Sequence, residues 1–259
     1  MSLTGGLPWH WRAWRSQALW APACADIADW LAQLQPRSKK LILLGPSAGW
    51  MLPTPWLLRF SCIHAVDLDP RAAWLFGRRH GAALQAAGVR CHYQTGDALA
   101  ELPRLLTVYP QACVLFDNLL GQLRFNAPRW QDPVLFTAQQ IAELKCQLQG
   151  REWGSVHDLL SGPARGLAAR QSYPAARNGR PDQISGQFAD QTQGQPPSRL
   201  LAHALDTAWL AAARPHGEWL DHLTEQVFPP GTAVRDIAWA FSPRYWHWLQ
   251  AGWVQAAPL

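Results

Sequence analysis

The sequence lacks most of the features that announce a function. It holds no run of about 18 apolar residues, so no transmembrane helix is expected. Its first stretch, Met1 to Trp20, is studded with Trp, Arg and His and has no signal-peptide apolar core. The 5 cysteines (Cys24, Cys62, Cys91, Cys113, Cys146) form no Cys-x-x-Cys pair. They read as reduced core residues of a cytoplasmic protein, with no disulfide and no metal site expected. The 9 histidines show no ligand spacing with acids or cysteines. No P-loop lysine motif, no serine nucleophile elbow of the G-x-S-x-G kind and no internal repeat is expected. Charge is scarce, at 16% of residues, and the formal balance of +5 is modest. Much of the arginine falls within 165–199 rather than along a helix face. That pattern fits solubility or steering of an anionic substrate, and a nucleic-acid surface is not expected.

What is present points to a globular enzyme-sized domain. The chain has 259 residues, 48% of them hydrophobic, enough for one large domain with a sizeable core. Its 16 tryptophans gather at the two ends: Trp9, Trp11, Trp14, Trp20 and Trp30 early, then Trp239, Trp246, Trp248 and Trp253 late. Such ends pack on the domain itself, line an aromatic substrate pocket, or contact a second copy as a homodimer.

Strands and helices alternate along the first part. Leu41-Ile42-Leu43-Leu44 is an aliphatic run that reads as a strand buried on both faces. Gly45-Pro46-Ser47-Ala48-Gly49 then turns the chain, and a helix over 53–60 follows. Cys62 to Val66 reads as a second strand ending in Asp67, and a helix over 71–87 closes at Gly88. A third strand over 89–94 ends at Gly96-Asp97, before a helix over 99–106. Ala112 to Phe116 is a fourth strand ending in Asp117-Asn118. Thr137 looks like the cap of a helix over 138–148, and a weak fifth strand over 152–156 leads to His157-Asp158. This alternation predicts an α/β fold with a doubly wound, mostly parallel sheet. Ahead of it, 1–38 reads as a Trp-rich helical lead-in, with Asp26 capping a second helix. Behind it, 161–198 is rich in Gly, Gln, Pro, Arg and Ser and reads as a flexible insertion or lid. Over 199–259 the pattern predicts helices near 200–213 and 218–227, a strand over 234–241, a short helix to Gln250 and an edge strand at Trp253-Val254.

In a doubly wound sheet the strand ends of one side share a crevice. A glycine turn after the first strand, Asp67 after the second and Asp97 after the third can surround an adenosine. In this order and spacing these residues resemble the class I S-adenosylmethionine-dependent methyltransferases over about 39–158. Leu41 to Gly49 is similar to that family's glycine-rich first motif. Val66-Asp67-Leu68-Asp69-Pro70 is similar to its ribose-binding motif, and Gly96-Asp97-Ala98 to its adenine contact. The resemblance implies a Rossmann-like fold with S-adenosylmethionine held by Gly45, Pro46, Ser47, Gly49, Asp67, Leu68, Asp97 and Ala98. It departs from the family at two points. Leu43 stands where an acid usually precedes the first glycine, and Ser47 replaces the middle glycine.

Methyl transfer needs proximity, exclusion of water, and a base where the nucleophile carries a proton. Asp117 and Asn118 stand where the family lines its transfer site. His157 is the base suggested by its place after the fifth strand, with Asp117 to orient it and Asp158 beside it. The acceptor expected is a small molecule. The alternatives are an aminopropyltransferase-like relative, which would explain Leu43, or a non-catalytic scaffold that keeps the sheet and binds a partner through its Trp-rich ends.

Overall fold

The computed structural model describes residues 6–163 and 219–256. At its centre is β1 (Lys40–Leu44), whose Leu41, Ile42, Leu43 and Leu44 are all 0% exposed. Full burial of one such side chain stabilises the fold by roughly 2 kcal/mol. The run can be apolar throughout because helices cover both faces. Leu41 and Leu43 join Trp20, Ile27, Trp30, Leu31, Trp56 and Phe60 on one side. Ile42 and Leu44 join Leu102, Leu105, Ile141 and Leu144 on the other.

The other strands are β2 (Cys62–Asp67), β3 (Arg90–Thr95), β4 (Cys113–Asp117), β5 (Trp153–Pro163), β6 (Leu220–Asp221), β7 (Val234–Ser242) and β8 (Tyr245–Val254). They form a sheet of order β3-β2-β1-β4-β5-β8-β7, with β6 paired to β5. Strands β1 to β5 pair in parallel, whereas β8 runs antiparallel between β5 and β7. From β1 the chain winds outward to β2 and β3, then returns to place β4 on β1's other side. The switch point of the sheet therefore lies between β1 and β4.

The helices are α1 (Leu7–Arg15), α2 (Gln17–Gln33), α3 (Thr54–Leu57), α4 (Ala72–Phe76), α5 (Ala82–Ala86), α6 (Ala98–Val108) and α7 (Pro133–Gln147). A π-helical turn, Gly77–Gly81, joins α4 to α5. The Trp-rich ends meet each other. The Trp20 indole N–H donates to Phe241 O at 3.1 Å, and its ring lies 4.9 Å from Trp239.

Several local expectations are corrected. Asp26 does not begin a helix: it is buried within α2, which begins at Gln17 and carries Pro22 inside it. Asp132, not Thr137, caps α7, accepting from the Val134 N–H at 2.7 Å with Pro133 in the first turn. The fifth strand runs on to Pro163 because β8 pairs along its whole length. The expected helix over 218–227 is, from residue 219 onward, turns and the short β6. The expected helix before Gln250 and the edge strand after it are one strand, β8, internal to the sheet. Strand pairing across the sheet overrides the local helix signals there. The helix expected near 200–213 and the insertion beyond Pro163 lie outside the described residues.

Candidate active site

The β1 and β4 ends come together at the switch point. A Cβ added to Gly45 would stand 3.0 Å from Leu119 Cβ and 3.4 Å from Asp117 O. Gly45 has φ 71° and its N–H donates to Val66 O at 2.9 Å, so the turn begins tight against β2 and β4.

Ser47 is the hub of this turn. Its N–H donates to Asp67 Oδ2 at 2.7 Å, and its carbonyl accepts from the Tyr93 hydroxyl at 2.7 Å. Its Oγ accepts from the Trp9 indole N–H at 3.1 Å. Ser47 holds φ 50°, the left-handed conformation a glycine would take. This costs a serine about 1 kcal/mol, and the three hydrogen bonds hold it there. The turn thus keeps the shape of a glycine loop without its middle glycine. Leu43, at the other departure, is a core residue and faces α2 and α3 rather than the crevice.

Gly49 is required by packing. A Cβ there would lie 2.5 Å from His80 Nε2. His80, on the π-turn, sits at 3.2 Å from Gly49 O and 2.8 Å from Thr54 Oγ1. Burial pushes its pKa down to about 4, so the ring is neutral, with Nε2–H donating to the carbonyl.

Asp67 ends β2 with both oxygens engaged by backbone: Oδ2 from Ser47 and Oδ1 from the Asp69 N–H at 2.9 Å. A carboxylate offers roughly four acceptor positions, so about two remain. Burial raises its pKa against the pull of those two N–H groups. Asp69 is turned away to the N-terminal segment: its Oδ2 accepts from the Gly6 N–H at 2.8 Å and bonds His10 Nε2 at 2.9 Å. The Trp50 indole donates to His10 Nδ1, so Nε2 carries the hydrogen. The lead-in helix α1 is therefore docked on the crevice rather than trailing from the domain.

Asp117, at the end of β4, is 6% exposed. Burial, and then the negative charge of Asp67, raise its pKa to about 7. Asn118 follows with φ 51°, and its buried Oδ1 has no partner among the described residues. Leu68 stands 75% exposed at the β2 end. Asp97 is exposed and caps α6, its Oδ1 accepting from the Leu99 and Ala100 N–H groups; Ala98 is buried beneath it. Pro46 is buried in the turn.

Gly45, Pro46, Ser47, Asp67, Asp117 and Asn118 are thus gathered at neighbouring strand ends. His157 is not among them. It is fully buried, with Nδ1 2.9 Å from Ser155 Oγ and its ring 5.4 Å from Phe228. Burial lowers its pKa to about 4. The expected pairing with Asp117 is not formed among the described residues. Asp158 is also fully buried, and its partner is His247 on β8, with Oδ1 to Nδ1 at 2.7 Å. Burial alone would raise its pKa, but His247, with smaller contributions from His222 and His157, leaves it lowered. Asp158, His222 and His247, which no sequence spacing groups, converge across β5, the turn after β6 and β8.

Contrary to expectation, Gly45-Pro46-Ser47-Ala48-Gly49 does spell G-x-S-x-G, the spacing of a serine nucleophile elbow, and Ser47 has the positive φ of one. A nucleophile needs a base in hydrogen-bond reach. Ser47 Oγ is bonded by an indole N–H instead, and no histidine contacts it among the described residues.

No family model and no curated protein matches the chain. Solved structures do. The glycopeptide N-methyltransferase MtfA, complexed with S-adenosylmethionine, is 14% identical over 53% of this chain and 55% of its own, at TM-score 0.35. This chain thus spans little more than half of MtfA. A SAM-dependent methyltransferase from Anabaena variabilis ATCC 29413 is 11% identical, covering 96% of this chain and 93% of that one, at TM-score 0.46. An O-methyltransferase family protein from Burkholderia thailandensis is 15% identical, covering 95% and 60%, at TM-score 0.41. Likeness at this level does not carry over any chemistry. The strand order is firmer ground: five parallel strands wound from a central β1, then an antiparallel strand slipped between β5 and β7. The fold is Rossmann-like. Among the described residues, no helix is long and apolar enough to cross a membrane.

Proposed function

We propose that this chain transfers a methyl group from S-adenosylmethionine to a small-molecule acceptor. The observation that carries the reading is the chemistry of the crevice at the switch point. It is lined by acceptors: Asp67 with spare lone pairs, the Asp117 carboxyl, and the unmatched Asn118 Oδ1. Such a lining suits a ligand rich in donors and positive charge. A ribose diol, an α-ammonium group and a sulfonium answer that description together.

Asp67 would accept from the ribose hydroxyls, held in place by Ser47 and Asp69. Leu68 would cover one face of the adenine, with Asp97 and Ala98 at its edge. The Gly45 to Gly49 turn would pass beneath the amino-acid portion. Asp117 and Asn118 would take the role that Leu43 cannot, facing the cationic end. When bound, the sulfonium supplies an activated methyl group. The protein's own work is orientation and exclusion of water, with Asp117 able to accept a proton near neutral pH from an acceptor nucleophile. The cytoplasm is the compartment proposed, and a homodimer would form through Trp11 and Trp14, which are 58% and 57% exposed. Light scattering of wild type and a Trp11→Ser, Trp14→Ser variant tests the dimer; a monomeric wild type removes it.

The test of function is a screen of small N-, O- and S-nucleophiles with methyl-labelled S-adenosylmethionine, read by mass spectrometry. Label transfer that falls at least tenfold in Asp117→Asn supports the reading. Binding of the cofactor without any transfer would favour the scaffold alternative.

A further inference from the structure

Asp158, His222 and His247 arrive from separate segments and meet at one point. One ligand-capable atom from each lies within 4.8 Å of the others. The backbone is shaped for this meeting. The pairing of β5 with β8 slips between Asp158 and Leu160, a bulge of the kind that re-aims side chains beside functional sites. The turn after β6 is clipped over that bulge. The His222 N–H donates to Leu159 O at 3.0 Å, and Thr224 Oγ1 donates to Asp158 O at 2.7 Å. Leu223, between them, holds φ 62°. That conformation is strained for a leucine, and the residue the turn delivers is His222.

The hydrogen bonds fix the tautomer. His222 Nδ1–H donates to Gly121 O at 2.7 Å, so Nε2 carries the lone pair, which accepts from the Ser161 hydroxyl at 2.8 Å and would exchange that bond for one to a cation. A histidine tied through its far nitrogen to a backbone carbonyl is oriented as metal-binding histidines are. Asp158 is 0% exposed and its Oδ2 has no partner among the described residues. A buried carboxylate with one oxygen unmatched is costly unless a cation meets it.

We propose that Asp158, His222 and His247 bind a divalent transition-metal ion of the zinc class. Two imidazole nitrogens and one carboxylate oxygen are a donor set that zinc takes, at about 2.0–2.2 Å. Calcium and magnesium prefer an all-oxygen set, which this is not. Ser161 Oγ, 2.8 Å from His222 Nε2 and 3.0 Å from the Tyr245 hydroxyl, stands beside a fourth position. Ligand atoms around zinc stand about 3.3–3.5 Å apart, so loading draws the wider spacings in and replaces the 2.7 Å Asp158–His247 hydrogen bond by bonds to the ion. The ion joins β5, β8 and the turn after β6, and its binding does not depend on the methyltransferase reading.

The full-length protein, stripped with chelator and dialysed, is titrated with zinc and separately with cobalt as a coloured probe. The expected result is one ion per chain, with the visible absorption of four- or five-coordinate cobalt. His222→Gln and His247→Gln each weaken zinc binding about 100-fold or more, and His222→Cys restores it with a new sulfur-to-cobalt band. Absence of a stoichiometric ion in wild type overturns the proposal. So does binding that persists in the double Gln variant, and Asp158–His247 is then a metal-free hydrogen-bonded pair. Circular dichroism checks each variant. Should the Gln variants not fold, the sulfur-to-cobalt band of His222→Cys decides, and its absence overturns the site.

Discussion

The Ser47 N–H and Asp67 Oδ2 lie 2.7 Å apart, and this bond joins the turn after β1 to the end of β2. It fixes the carboxylate of Asp67 before any ligand arrives, because the Asp69 N–H holds the other oxygen. A carboxylate held in this way loses little freedom on binding, which is what a site needs for affinity.

Ser47 itself can be tested for strain. Ser47→Gly removes the cost of φ 50° but also the Trp9 hydrogen bond, so its stability should stay within about 1 kcal/mol of wild type. Ser47→Val should lose about 2 kcal/mol or more, because a β-branched residue tolerates that conformation poorly. Urea unfolding of the two variants checks the contrast.

Gly49→Ala should destabilise by about 2–4 kcal/mol in thermal or urea unfolding. The new methyl would meet His80 Nε2 at 2.5 Å in a backbone with φ 66°. Adding His80→Ala should recover part of that loss, and no recovery would refute the contact.

Asp117 gives the stability a pH dependence. Its folded pKa is about 7, raised by burial and by Asp67, against an unfolded value near 4. Between those values the folded chain holds a proton that the unfolded chain has lost. This contribution to stability is therefore present below about pH 4 and is lost as pH rises to about 7. Asp117→Asn should flatten that slope, with a gain on the order of a few kcal/mol above pH 7. Unfolding curves over the range measure it, and an unchanged slope in the variant would contradict the assignment.

His157 should act in the core rather than in catalysis. The double variant Ser155→Ala, His157→Leu removes both partners of a buried hydrogen bond together, so stability should change by less than about 1.5 kcal/mol. Methyl transfer should persist within about threefold. A loss of turnover beyond tenfold with normal folding would return His157 to the mechanism.

Strands β1, β2 and β4 were legible because each is a short apolar run ended by a turn or an acid, and the edge strand β3, Arg-Cys-His-Tyr-Gln-Thr, was legible from its place between a helix-ending glycine and Gly96-Asp97. Their shared crevice follows from parallel winding alone, and this is why the sequence groups Gly45, Asp67 and Asp117. Strand β8 was not legible. Its Tyr-Trp-His-Trp-Leu-Gln start follows Ser242-Pro243, a local helix signal that pairing with β5 and β7 overrides. Misreading β8 hid His247, and misreading the turn after β6 hid His222. The part played by α1 was hidden too, since the bond from Trp9 to Ser47 spans 38 residues and leaves no local pattern. The G-x-S-x-G spelling shows the converse: a motif can be present in sequence while the contacts that give it meaning are not.

The central claim is that the crevice at the switch point holds S-adenosylmethionine through Asp67. Calorimetric titration with S-adenosylmethionine and S-adenosylhomocysteine, on wild type and Asp67→Ala, tests it most directly. The account predicts one site of micromolar affinity for wild type and at least a hundredfold weaker binding in the variant, with the far-ultraviolet spectrum unchanged. Absence of binding by wild type, or equal binding by a folded Asp67→Ala, would contradict it.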